Sequence, residues 1–201
     1  MCSALREQLM EADEQMRRRG LVWDTLTRLA RALDKLQVRY AVGGGIALQH
    51  HGVLRSTQDV DVIVPSVEDL NRIHTVLVGR GFERKSPTSR HLRDDVTRVR
   101  VEFLISGEFP GDGKPKPVSF PDPAAESERS DDGFWFITLR GLIELKLASA
   151  ISAPHRIKDR ADVLELLHRH SLPAAYADSL SPYVRDEFRR LAALPPPFEP
   201  E

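Results

Sequence analysis

Apolar residues near the start of the chain fall at helical spacing. Val22, Leu26, Leu29, Leu33 and Leu36 recur in steps of four and three and line one side of a helix. The span 3–36 therefore reads as helical, with Gly20 dividing it. "VRYAV" (38–42) is a short β-rich run ending at glycines, and "GIALQHHG" predicts a short helix closed by Gly52. "DVDVIV" (59–64) predicts a strand stopped by Pro65. Ser66 with Asp69 three positions on predicts a helix N-cap, and Val67, Leu70, Ile73 and Leu77 give that helix its buried stripe. "FERKS" and "HLRDD" are short strand candidates, and "RVRVEFLIS" (98–106) alternates as a half-buried strand does. Residues 107–133 are rich in Pro, Gly and charge without periodicity and read as a long loop or flap. "FWFITL" (134–139) reads as the last strand. Leu142, Leu145 and Ala148 begin a helix. "KDRADVLELLHRH" gives another, with Ala161, Leu164 and Leu167 inward, and 182–194 a final one.

This order predicts an α/β (α+β) fold, a mixed twisted sheet flanked by helices, with an N-terminal helix and a helical C-terminal part. The expected organisation is a core over 1–140 and a C-terminal helical region over 141–194 packed on it. A mobile, extended tail is expected over 195–201.

Charge changes this picture little. The 201 residues carry 29 Lys+Arg against 30 Asp+Glu, so no global field announces a nucleic acid or a membrane surface. The single cysteine, Cys2, permits no internal disulfide and fits a reducing compartment. The first residues lack the apolar centre of a signal peptide, and no window is long and apolar enough to span a bilayer. A cytoplasmic chain with no membrane partner is expected.

The candidate chemistry lies in "VGGGIALQHHGVLRSTQDVDVIV" (42–64). Strand side chains alternate, so Asp59 and Asp61 project together while Val60, Val62 and Val64 pack behind them. Two carboxylates on one face repel, and burial without a partner adds several kcal/mol. A magnesium ion, held by carboxylates with substrate phosphates and waters, removes both objections. Gly43, Gly44 and Gly45 let backbone approach a phosphate, and Arg55, Ser56 and Thr57 add donors just before the acids.

Gly44-Gly45, the spacer "IALQHHGVLRSTQ" and "DVD" resemble the signature of the nucleotidyltransferase superfamily that includes DNA polymerase β. The longer run "GGIALQHHGVLRSTQDVDV" is similar to the branch of the AbiEii-type toxins. A second segment, "ELKLASAISAPHRIKDRADVLELL" (144–167), resembles that branch's later motifs. The resemblance implies a polymerase β-like fold and transfer of NMP from an NTP to an acceptor hydroxyl with two Mg²⁺ ions. It implies that Asp59 and Asp61 share the metals and that Glu102, in the third-carboxylate position, holds the acceptor-side ion and takes the hydroxyl proton. The family more often has Asp there. Gly43–Gly45 would seat the β,γ-phosphates, Lys146 would reach a phosphate, and Arg156, Lys158, Asp159 and Asp162 belong to the later motif, with Asp159 beside the nucleotide.

For the acceptor, the resemblance implies an RNA (tRNA-like) or a protein, in a toxin-like setting with a cognate antitoxin or partner protein. Two alternatives stand beside it. One is a catalytically reduced, nucleotide- or partner-binding relative. The other is transfer to a small molecule of the aminoglycoside type. Plainer readings also stand. Glu102 could be a solvated strand residue, Lys146 a snorkelling lysine, and Asp159 and Asp162 a salt-bridged surface. Asp94 and Asp95 are fallback ligands, though "RDD" reads better as a solvated turn. Adjacent His50 and His51 could suggest a transition metal. Without a Cys or further His at ligand spacing, zinc is not expected, and one histidine is expected packed, the other at the rim of the site.

Overall fold

A computed structural model describes residues 20–195. The expected helix before Gly20, Cys2 and the tail residues 196–201 lie outside the described residues. Ordered along the chain are α1 (Leu21–Lys35), β1 (Ala41–Val42), α2 (Gly44–His50), β2 (Asp59–Val64) and α3 (Val67–Leu77). Then come β3 (Phe82–Arg84), β4 (Leu92–Asp94), β5 (Arg100–Ile105), β6 (Ser127–Arg129), β7 (Trp135–Ile137), α4 (Leu139–Ser152) and α5 (Ile157–Arg169). A short 3-10 helix (Ala174–Ser179) and α6 (Pro182–Ala192) close the chain. No helix among the described residues is long and apolar enough to cross a membrane.

The strands form one mixed sheet in the order β3-β4-β5-β2-β1-β7-β6. β2 lies at its centre, parallel to β5 and antiparallel to β1. Its valines explain that place: Val60, Val62 and Val64 have no exposed surface, as a strand flanked on both sides requires. α1 and α2 pack on β2, and α4, α5 and α6 pack on one another. A single buried cluster runs from Val22 to Leu191.

Local chemistry sets the element ends. Ser66 Oγ accepts from the Asp69 amide at 3.0 Å, which starts α3 as its sequence predicts. Thr138 Oγ1 accepts from the Gly141 amide at 3.1 Å and starts α4. α2 closes at Gly52, whose φ of +82° suits glycine.

Four expectations are corrected. Val67 is exposed; the inner face of α3 is Leu70, Ile73, His74 and Leu77, with His74 edge-on to Phe103. The 107–133 segment contains β6, which pairs with β7 and extends the sheet. The buried side of α5 is Asp159, Asp162, Val163, Leu166 and Leu167; Ala161 is exposed and Leu164 half-buried. The face turns because paired acids take inward places that apolar periodicity assigns to neighbours. Asp94 is not a solvated turn: it is fully buried, accepts from Arg28 at 2.8 Å and from the Val96 amide at 2.8 Å, and fastens β4 to α1.

Candidate active site

Parallel pairing of β2 with β5 sets Asp61 opposite Glu102 and Asp59 opposite Arg100. Residues two apart share a face, so three carboxylates and one guanidinium stand together on the sheet. Arg100 Nη2 donates to Glu102 Oε2 at 3.0 Å. Asp59, Asp61 and Glu102 are all half-buried. Burial, then the charges of Glu102 and Asp59, push the Asp61 pKa up to about 6, against the downward pull of Lys146 and Arg100.

The glycine turn presses on the same carboxylate. The Gly43 amide donates to the Asp61 carbonyl at 2.8 Å. Gly44 has φ +56°, and a Cβ there would stand 1.7 Å from Asp61 Oδ2. Only glycine fits both constraints. Gly45 is likewise close to Thr57, where a Cβ would meet the Thr57 Cβ at 2.6 Å. Gly44→Ala is expected to cost about 1–2 kcal/mol from the left-handed backbone alone. Melting curves of the variant and the parent chain check this, and coincident curves would contradict it.

Two adjoining cavities open over this face. One, of about 600 Å³, is walled by Gly44, Gly45, Arg55, Ser56, Thr57, Asp61 and the α4–α5 segment including Lys146, Arg156 and Lys158. The other, of about 230 Å³, is walled by Asp61, Ile63, Glu102, Leu142 and Leu145, with Pro110, Gly111 and Phe120 from the long connection after β5. Gly44, Asp61, Lys146, Arg156 and Asp159 border both, so the acid row sits where a larger, cationic chamber meets a smaller one.

Lys146 is held in place. Its Nζ lies 2.6 Å from Asp162 Oδ2 and 3.1 Å from Asp159 Oδ1. Ser149 Oγ and Arg156 Nε donate to Asp159 Oδ2 at 2.7 and 2.8 Å. Burial alone would raise the Asp159 pKa; Lys146, Ser149 and Arg156 outweigh it and hold the carboxyl below the usual range. Arg55 Nε approaches Asp162 Oδ1 at 3.5 Å, tying the segment before β2 to α5.

Every residue that the sequence assigned to the nucleotide or metal site, except Asp59, borders one of these two cavities, and Asp59 shares the face of Asp61. The histidines do not: neither His50 nor His51 walls either cavity. One residue escaped sequence reasoning. The β4–β5 register, continued by one pair, sets His91 opposite Glu102. Burial lowers the His91 pKa, while Glu102 and Asp59 pull it upward, which puts the imidazole within electrostatic reach of the acid row. Its signal was the alternation of "HLRDD", once β4 is known to neighbour β5.

No protein-family model matches the chain, and no curated protein does. Solved structures do. ANT(2″)-Ia in complex with adenylyl-2″-tobramycin is similar over 85% of this chain and 98% of its own, at 15% identity and a TM-score of 0.55. A solution structure of the antibiotic-resistance factor ANT(2″)-Ia is similar over 82% of this chain and 87% of its own, at 13% identity and a TM-score of 0.50. The fold is that of the nucleotidyltransferases. Asp59, Asp61 and Glu102 are hard oxygen donors, and the nearby Lys146 is already engaged by Asp159 and Asp162. This excess of negative charge fits a divalent cation such as Mg²⁺.

Proposed function

We propose that the chain transfers NMP from an NTP to a hydroxyl of a small polar acceptor, with Mg²⁺ held by Asp59, Asp61 and Glu102. The observation that carries this reading is the pairing of Asp61 with Glu102 directly under the Gly44 turn. The bound metal would supply charge neutralisation at the triphosphate and a lowered pKa at the acceptor hydroxyl. The protein does the rest. Gly44, Gly45, Ser56 and Thr57 line the larger chamber, with Arg55, Lys146 and Lys158 to meet the triphosphate. Lys146, fixed by two acids, would offset charge on the leaving pyrophosphate. Glu102 faces the smaller chamber and would take the acceptor's proton at its carboxylate.

The likeness to a protein of similar length in complex with adenylyl-2″-tobramycin supports a small cationic polyol of the aminoglycoside type. An RNA or protein acceptor, and a toxin with a cognate antitoxin, rest on the sequence resemblance alone. One observation favours the reduced, nucleotide-binding reading: Glu102 stands where the family more often has Asp, and Arg100 already pairs with it.

The test uses each α-labelled NTP with Mg²⁺ and three acceptor pools: tobramycin, total RNA and lysate protein. Label in the aminoglycoside pool is the expected result. Label in RNA or protein would replace the acceptor. Mg-dependent NTP stabilisation without label in any pool would support the reduced reading.

A further inference from the structure

The far end of α2 from Gly44 carries a second constellation. His50 Nε2 is 3.0 Å from Glu128 Oε1, His51 Nδ1 is 4.0 Å from the same oxygen, and the three donor atoms lie within 4.8 Å of one another. Sequence spacing argued against a metal because it sought Cys or His. The third donor is a carboxylate brought from β6, which pairs with β7 beside α2.

The hydrogen-bond pattern points to a lone pair. His51 Nε2 is 2.9 Å from the Ile137 carbonyl, which can only accept, so Nε2 carries a hydrogen. In the neutral ring Nδ1 is then bare, and it faces a carboxylate. His51 Nδ1 and Glu128 Oε1 are then two lone-pair donors facing each other across 4.0 Å, with His50 Nε2 beside the same oxygen. A ring nitrogen donating to backbone carbonyl while the other looks into a donor cluster is the outer-shell arrangement of metal-binding histidines. Both rings are fixed. The His51 side chain is 5% exposed, and His50 stacks on Phe136 with centroids 4.1 Å apart and planes 6° apart.

We propose that His50, His51 and Glu128 bind a divalent transition metal of the zinc class, at a site distinct from the acid row. Two imidazoles and one carboxylate suit Zn²⁺ or Co²⁺; Mg²⁺ prefers oxygen alone. The enclosed Nδ1 of His50 has no partner among the described residues with or without the ion, so it leaves the balance unchanged. The ion would clip the β6–β7 hairpin to the helix whose opposite end presents Gly44 to Asp61.

Metal-free protein titrated with Co²⁺ provides the test. A stoichiometric visible d–d band, displaced by Zn²⁺ and not by excess Mg²⁺, is expected, with a rise in melting temperature. Glu128→Gln is exposed, should fold normally, and should weaken Co²⁺ binding at least about tenfold. His50→Gln should do the same, whereas Asp61→Asn should retain the band. Absence of the band would leave a histidine–carboxylate ion pair and overturn the proposal. So would a band lost in Asp61→Asn and kept in Glu128→Gln.

Discussion

Asp61→Asn is expected to unfold at a higher temperature than the parent chain in metal-free, mildly alkaline buffer, and to transfer no nucleotide above background. The gain in stability comes from removing a charge the fold disfavours. Burial, Glu102 and Asp59 raise the Asp61 pKa from 3.8 to about 6. At about 1.4 kcal/mol per tenfold, that is a penalty on the order of 3 kcal/mol once the group is ionised. The neutral amide keeps the shape without the charge. Below about pH 4 the acid is protonated in both folded and unfolded chains, so the variant gains nothing. The gain grows as pH rises and is complete above about 6. Excess Mg²⁺ should erase it by stabilising only the parent. On the proposed function the activity loss should exceed about a thousandfold, since a metal held there would supply several kcal/mol of transition-state stabilisation. Calorimetry across pH checks the first half and labelled-nucleotide transfer the second. Coincident melting curves at every pH would sink the electrostatic account.

Lys146→Met should be the most destabilising single change in the cleft. Its Nζ links α4 to two acids on α5, and both acids are buried. Removing one member of such a network strands charge in the interior, which commonly costs 3–5 kcal/mol. Arg156 still reaches Asp159 and Arg55 still approaches Asp162, so about 3 kcal/mol is expected. Adding Asp162→Asn to the same chain should recover part of that loss, because the stranded charge disappears. Urea denaturation of the two single variants and the double variant measures the coupling. Strict additivity would mean that Lys146 and Asp162 do not depend on one another.

These two expectations differ in how openly the chain advertises them. The acid pair on β2 was legible because valines on alternate positions mark a strand and show the acids sharing its other face. The Ser66 cap was legible for a local reason too: donor and acceptor are three residues apart. Lys146, Asp159 and Asp162 carried the opposite appearance. Charged residues at helical spacing look like a wet surface, and only the packing of α4 on α5 turns them inward. Asp94 was misread in the same way, since its partner Arg28 lies on α1. His91 and Glu128 reach their neighbours through sheet pairings, and strand register between distant segments is not written in local periodicity.

Asp61 and Glu102 meet through a backbone ladder and owe nothing to the lengths of the connections around it. Insertions in 65–99 or 107–126 can drift, and the two acids will still stand abreast. Deleting one residue within β2 or β5 would instead send an acid through to the opposite side of the sheet. Descendants of this scaffold are thus free to remodel the walls around an incoming molecule while the centre tolerates almost no editing.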